Sequence, residues 1–204
     1  MRTAEIERKT AETDINLKLS LDEKFTAVID TGCGFLNHML TLFAMHSGFG
    51  LSVVCKGDTD VDFHHTTEDI GIALGAAFLK AIGDKAGIAR FSHVILPMDE
   101  ALILCAADIS GRGYLNFDID FPAAKIYDGE TEQTLKKIGA FDSELIEEFF
   151  CAFVREAKIT LHFKKLYGKN THHIAEGAFK AFARALGAAA TVVGGGVPSS
   201  KGVL

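Results

Sequence analysis

The chain has 204 residues, 48% of them hydrophobic and 24% charged, the make-up of a globular protein large enough for one core or for two small repeats sharing one. A formal net charge of -6 argues against nucleic acid or an anionic membrane as a partner. No run of about 18 apolar residues offers a membrane helix, and Met1-Arg2-Thr3-Ala4-Glu5 has the pattern of neither a signal nor a transit peptide, so a cytoplasmic protein is expected.

In chain order, the alternation of Ile15, Leu17, Leu19 and Leu21 predicts a half-buried strand, with Phe25–Ile29 as its hairpin partner. Gly32-Cys33-Gly34 breaks the chain before a helix from Phe35 to about His46. Leu51–Cys55 reads as a strand, followed by a polar loop at Gly57-Asp58 and an amphipathic helix from His64 to Ile82. Strands follow at Ser92–Leu96, Ala101–Ile109 and Tyr114–Asp120. Asp142 is the expected N-cap of a helix ending near Ala157. Ile159–Leu166 alternates as a strand, Asn170-Thr171 precedes a helix over His172–Ala189, and Gly194-Gly195-Gly196 opens an irregular tail. The polar segment 122–139, centred on Lys125–Lys137, reads as a surface excursion, and its role is left open. Cysteines at 33, 55, 105 and 151 form no CxxC pair and read as buried free thiols.

The order βββαβα thus occurs twice, which gives an α+β class: two tandem units, each a small sheet with two helices on one face. The expected division is 1–91 and 92–204, packed as one body because no Pro-, Gly- or Ser-rich linker separates the halves. The repeat carries chemistry. His64-His65-Thr66-Thr67-Glu68 recurs 108 residues later as His172-His173-Ile174-Ala175-Glu176. On a helix the first His and the Glu are i,i+4 neighbours and converge. Adjacent histidines point about 100° apart, so the two rings of a pair suit two different ions. Imidazole and carboxylate without thiolate suit Mn, Fe, Zn or Co, and an octahedral preference leans towards manganese. His38 and Glu148, at matching places in the helix that precedes each motif, are further candidate ligands.

Anion binding is a second theme. Arg90, Arg112, and the run Ser199, Ser200 and Lys201 lie beside glycines, and Lys180 lies two turns beyond the second His pair; together they suit a phosphate dianion. Glu12 has no spacing that marks it, and reads as a strand-edge charge. These residues alone leave open a two-metal phosphate-ester hydrolase, a carboxylate-bridged helical metal protein and a non-catalytic metal-binding assembly protein.

The motifs resemble those of the imidazoleglycerol-phosphate dehydratase family over nearly the whole chain. They are Arg8 to Thr13 (RxTxET), Gly32 to Leu40, Asp62 to Asp69, Pro97 to Ala101, Asp108 to Arg112, Thr160 to His162, Asn170 to Glu176 and Ser199 to Gly202. The resemblance implies a duplication like that of ribosomal protein S5 domain 2. It implies two Mn²⁺ per active site, held by His38, His64, His65, Glu68, Glu148, His172, His173 and Glu176. It implies a phosphate pocket at Arg90, Arg112, Lys180, Ser199, Ser200 and Lys201, with Glu12 against the substrate. It further implies a homo-oligomer of 24 subunits with active sites between subunits. The expected reaction removes water from imidazole glycerol phosphate to give imidazole acetol phosphate in L-histidine biosynthesis. The ring, held as an imidazolate by two ions, would expel the neighbouring hydroxyl, and Glu12, or else Glu68 or Glu176, would take the proton. Departures from the family pattern are Glu148 where some members have His, Asn37 and Leu42 where Asp and Gln are common, and the long 122–139 segment.

Overall fold

The computed structural model describes residues 1–25, 28–128, 131–202 and 204, and of 124–135 only the backbone. The first half runs β1 (Thr3–Lys9), β2 (Thr13–Ser20), β3 (Ile29–Asp30), α1 (Gly34–Ser47), β4 (Gly50–Gly57) and α2 (His64–Ile82). Its strands form a sheet ordered β1-β2-β4-β3, antiparallel except that β3 lies parallel to β4. The second half runs β5 (Phe91–Met98), β6 (Ala101–Asp108), β7 (Tyr114–Asp118), β8 (Ala124–Asp128), β9 (Thr131–Leu135), β10 (Lys137–Ile138), β11 (Phe141–Asp142), α3 (Leu145–Ala157), β12 (Thr160–Tyr167) and α4 (Thr171–Ala189). Its sheet is ordered β5-β6-β12-β7, with β7 parallel to β12. Strand for strand the two sheets have one topology, and the class is α+β.

Two expectations need correction. The hairpin partner of β2 is β1, with Thr3 opposite Ser20 and Lys9 opposite Asp14. Of Phe25–Ile29 only Ile29 is in a strand, and that strand pairs with β4; Thr26 and Ala27 lie outside the described residues. Asp142 does not cap α3: it ends β11 and pairs with Lys137 at 3.2 Å, while the N-cap position is Glu144. The 122–139 segment is a hairpin, β8–β9, followed by β10, which pairs with β11.

The helices pack across the halves, α1 on α4 and α2 on α3. Small residues allow the close approach. A Cβ on Gly71 would stand 2.7 Å from the Phe149 carbonyl oxygen, and one on Gly75 would stand 2.5 Å from that of Phe153. Gly187 lies equally tight against Ser47. Residue numbers rise together along both members of each pair, so the partners are parallel. An interior block of Phe43, Phe182, Phe153, Phe78 and Phe49 joins the two pairs in the C-terminal half of the helix layer. The outer faces of the two sheets differ. Glu5, Glu7, Lys9, Asn16, Lys18 and Lys56 are exposed on the first, and Phe91, Ile95, Tyr114 and Leu166 on the second.

Gly75→Val should therefore push α2 off α3 and lower stability by about 1–3 kcal/mol, seen as a lower denaturation midpoint. Gly34→Ala, whose Cβ meets nothing within 4 Å, should leave the midpoint within about 0.5 kcal/mol.

Candidate metal centre and anion pocket

His38 lies in the second turn of α1, opposite the first turns of α4. The ligand atoms of His38, His172 and Glu176 all lie within 4.8 Å of one another. Both imidazole Nε2 atoms face one glutamate oxygen, Oε2, at 3.4 Å from His38 and 3.2 Å from His172. The other oxygen takes the Lys180 ammonium at 2.5 Å. Burial pushes the Glu176 carboxyl up, but Lys180 and His38 outweigh it and the net shift is down, so Glu176 is anionic at neutral pH. Asn170 caps α4 by accepting from the backbone N–H groups of His172 and His173, which fixes where this helix starts. Two imidazoles and a carboxylate, with one buried oxygen aimed at both rings, fit a borderline divalent cation.

His173 turns away from this group, its ring at 86° to that of His172, as adjacent positions on a helix require. Its Nδ1 lies 2.6 Å from Glu100 Oε2. Glu100 also accepts from the backbone N–H of Asn170, and together with His173 this holds its carboxyl down to about 2. The first repeat does the same: His65 Nδ1 lies 2.9 Å from Asp58 Oδ2, and the His64 and His65 rings stand at 80°. A carboxylate on Nδ1 leaves Nε2 to point outward, the usual posture of a metal-binding imidazole. Sequence reasoning missed Asp58 and Glu100, because nothing in their spacing ties them to the His pairs.

His64 and Glu68 on α2, and Glu148 on α3, occupy the equivalent positions in the other helix pair. The parallel register, with Gly71 against Phe149, sets Glu148 level with Ile70, about half a turn beyond Glu68. Among the described residues these three do not close into a cluster; Glu68 instead takes Arg155 at 3.4 Å. Phe35, Phe141 and Phe63 stand in a row between the two groups, with Phe35 edge-on to His172. The paired motifs are therefore at the same end of the helix layer but not in one site within a chain.

Glu12 is more than a strand-edge charge. Thr10 Oγ1 accepts from the N–H groups of Glu12 and Thr13 and so closes the β1–β2 turn. Arg8 and Thr13 both bond the buried Asp69 of α2, at 2.7 and 2.5 Å. This network holds Glu12 Oε1 at 3.6 Å from His65 Nε2. Asn37 accepts from the Thr31 backbone N–H and hydroxyl and fixes the turn before α1, whereas Leu42 is buried in the core, away from any substrate contact within this chain.

Arg90, Ser110, Gly111, Arg112, Ser199, Ser200 and Lys201 line one cavity of about 380 Å³. The tail is strapped over it: Gly87 N–H donates to the Gly196 carbonyl and Arg90 Nη1 to that of Pro198. Arg90 also pairs with Asp108 at 2.8 Å. Lys180 does not join this cavity, being held at Glu176. Arg90 N–H bonds Ala189 at the end of α4, whereas His172 is at its start. A 19-residue helix rising about 1.5 Å per residue puts roughly 25 Å between them.

A family model described as imidazoleglycerol-phosphate dehydratase matches residues 31–186. The chain belongs to the imidazoleglycerol-phosphate dehydratase family. The family protein of Caldicellulosiruptor saccharolyticus is 54% identical over 203 residues, spanning 100% of this chain and 98% of that one. That of Clostridioides difficile is 50% identical over 204 residues, spanning 100% of both. The crystal structure of the Staphylococcus aureus family protein superposes with a TM-score of 0.80 at 43% identity, over 93% of this chain and 99% of that one. That of the Pyrococcus furiosus protein, in complex with (S)-C348, gives 0.80 at 37% identity, over 98% and 100%. The chain is thus a dehydratase, a hydro-lyase of histidine biosynthesis. Among the described residues no helix is long and apolar enough to cross a membrane.

Asp58 raises the His65 pKa and Glu100 that of His173. A divalent cation on either ring would need it neutral, so an affinity for such a cation, measured by calorimetry, should fall as pH drops through these raised values, beginning above the ordinary 6.5. Glu100→Gln should move that fall to lower pH and cost about 10–100-fold in affinity at pH 8, through lost orientation of the ring.

Proposed function

We propose that the protein removes water from imidazole glycerol phosphate to give imidazole acetol phosphate, at a site built between copies of the chain. What carries the reading is the closed His38–His172–Glu176 group in a chain whose cationic cavity lies at the opposite end of α4. The substrate is far shorter than roughly 25 Å of helix. Its ring and its phosphate therefore meet groups from different copies, within a homo-oligomer of 24 subunits in the cytoplasm. Neither nucleic acid nor membrane is a partner.

Two Mn²⁺ per active site would be held by His38, His172 and Glu176 and by His64, Glu68 and Glu148. Each group would be completed by an outward-facing Nε2, from His65 or His173 of a neighbouring copy. When bound, the ions would lower the pKa of the substrate ring, which has to supply electrons because the departing hydrogen is not next to a carbonyl. Arg90, Arg112, Ser199, Ser200 and Lys201 would anchor the phosphate and fix the side chain in register with the ring. Lys180 is assigned to Glu176 instead, as the charge that keeps this carboxylate ionised. Glu12, on its braced turn beside His65, would take the proton from the carbon next to the ring-bearing one. Glu68 and Glu176 stand second for that role, since each already has a ligand position and a basic partner. The hydroxyl on the ring-bearing carbon would leave as water by taking up a proton from solvent, Glu12 would return its own proton to solvent, and the enol would become the ketone with phosphate still attached.

Glu12→Gln should keep Mn²⁺ binding and assembly but lose about 10²–10⁴-fold in turnover, followed as ketone formed from imidazole glycerol phosphate. Release of inorganic phosphate, or full turnover by the variant, would overturn the assignment.

A further inference from the structure

Each histidine pair has a carboxylate aimed at the Nε2 of its second ring. Glu12 Oε1 lies 3.6 Å from that of His65, and Asp99 Oδ2 lies 3.8 Å from that of His173. Both carboxylates come from the turn that joins the first two strands of their half. The two turns are held differently.

In the first half the turn is clamped to α2. Asp69, 6% exposed, accepts from Arg8 Nη2 with one oxygen and from the Thr13 hydroxyl with the other. Arg8 and Thr13 stand on either side of Glu12 in the chain. Asp69 is one helical turn beyond His65, on the same face of α2. The clamp therefore sets the turn from the helix that carries the ring Glu12 faces. The Glu12 carbonyl also accepts from the Asp58 N–H at 3.1 Å, and Asp58 holds the other nitrogen of that ring.

Among the described residues the second half has the same packing without the polar groups. A Cβ on Gly57 would run into Thr66 and lie 3.7 Å from Thr13. A Cβ on Gly168 would stand 2.9 Å from Ala101 and 3.0 Å from Ile174. Ala101 thus takes the place of Thr13. At the 108-residue offset of the repeat, Ile174 takes that of Thr66 and Gly177 that of Asp69. A side chain at Gly177 would face only Ile103 and Met98. The sheet topology is the same in both halves, so the architecture does not require the Asp69 pair. A buried ion pair gives little net stability over an apolar replacement. What the clamped turn carries, and its twin lacks, is Glu12.

We propose that Asp69 is a positioning residue for Glu12, fixing through Arg8 and Thr13 where the carboxylate meets the substrate carbon. The inference rests on the proposed reading of Glu12 as the base. The Glu12 side chain is half-exposed, so the placement of its turn decides where it can reach.

The test is turnover of imidazole glycerol phosphate by the Mn²⁺-loaded assembly. It compares wild type, Thr13→Val, Thr13→Ser, Asp69→Asn, Glu12→Gln and the double variant of Thr13→Val with Glu12→Gln. Thr13→Val keeps the shape and removes the hydroxyl. It should lower kcat roughly 10–100-fold with KM little changed, as for a base misplaced by about 1 Å. Its Mn²⁺ affinity by calorimetry should stay at the wild-type value, and Thr13→Ser should recover most of the turnover. In the Glu12→Gln background Thr13→Val should cost less than about twofold more, because the group it places is gone. Asp69→Asn should fall at least as far as Thr13→Val; if it does not fold, the Thr13 variants and the double variant carry the test. With Glu12→Gln impaired, three results overturn the role of Asp69 and leave Glu12 as the base: wild-type kcat in Thr13→Val, the same fold-loss in both backgrounds, or a loss matched by a fall in Mn²⁺ affinity. Full turnover by Glu12→Gln overturns the base and the positioning role together.

Discussion

Parallel packing between helices from opposite halves governs where the chemistry sits. Gly71, Gly75 and Gly187 let backbones touch side chains or other backbones, and that contact fixes the register of each pair. A slip of one helical turn, 5.4 Å, would carry His38 past Glu176 and dissolve the three-donor group. The same register places all four helix starts at one end of the layer. The cationic cavity is gathered at the other end from two loops and the tail. The distance between the three-donor group and the cationic cavity is thus a matter of helix length.

Each motif glutamate has a basic side chain against it. Lys180, one turn along α4, holds Glu176, and Arg155, from α3, holds Glu68. The two are not equivalent. The Glu176 side chain is 10% exposed and the Glu68 side chain 35%, so the first pair is tighter and less screened. A divalent cation entering either group has to share its carboxylate with that neighbour. Glu148 adds a second carboxylate beside Glu68, so the looser group is the more anionic of the two.

Much of this was legible in the sequence because the repeat and the periodicities agree. α2 ends where the apolar spacing ends, and α4 begins at the Asn cap. β1 was missed because its outward residues are Thr3, Glu5, Glu7 and Lys9 and only Ala4 and Ile6 face inward, too faint an alternation to mark a strand. β3 is two residues long and exists only through its pairing with β4. Glu100 lies 73 residues before the imidazole it orients, a relation only tertiary structure makes. Lys180 is a different case: within the chain its ammonium pairs with Glu176, a contact its i,i+4 spacing allows but that the anion-binding reading of the sequence did not include.

The two sheets share a topology but not a surface. Separate identical subunits have to present the same exterior, so whatever solubility or stickiness one copy has, the other has too. Joining the copies in a single polypeptide lifts that restriction. One sheet exposes mainly lysine and glutamate with Val54 among them, while its twin exposes Phe91, Ile95 and Tyr114 among His93, Asn116, His162 and Lys164. Tandem duplication has thereby given an ancestrally symmetric body two sides that can evolve apart.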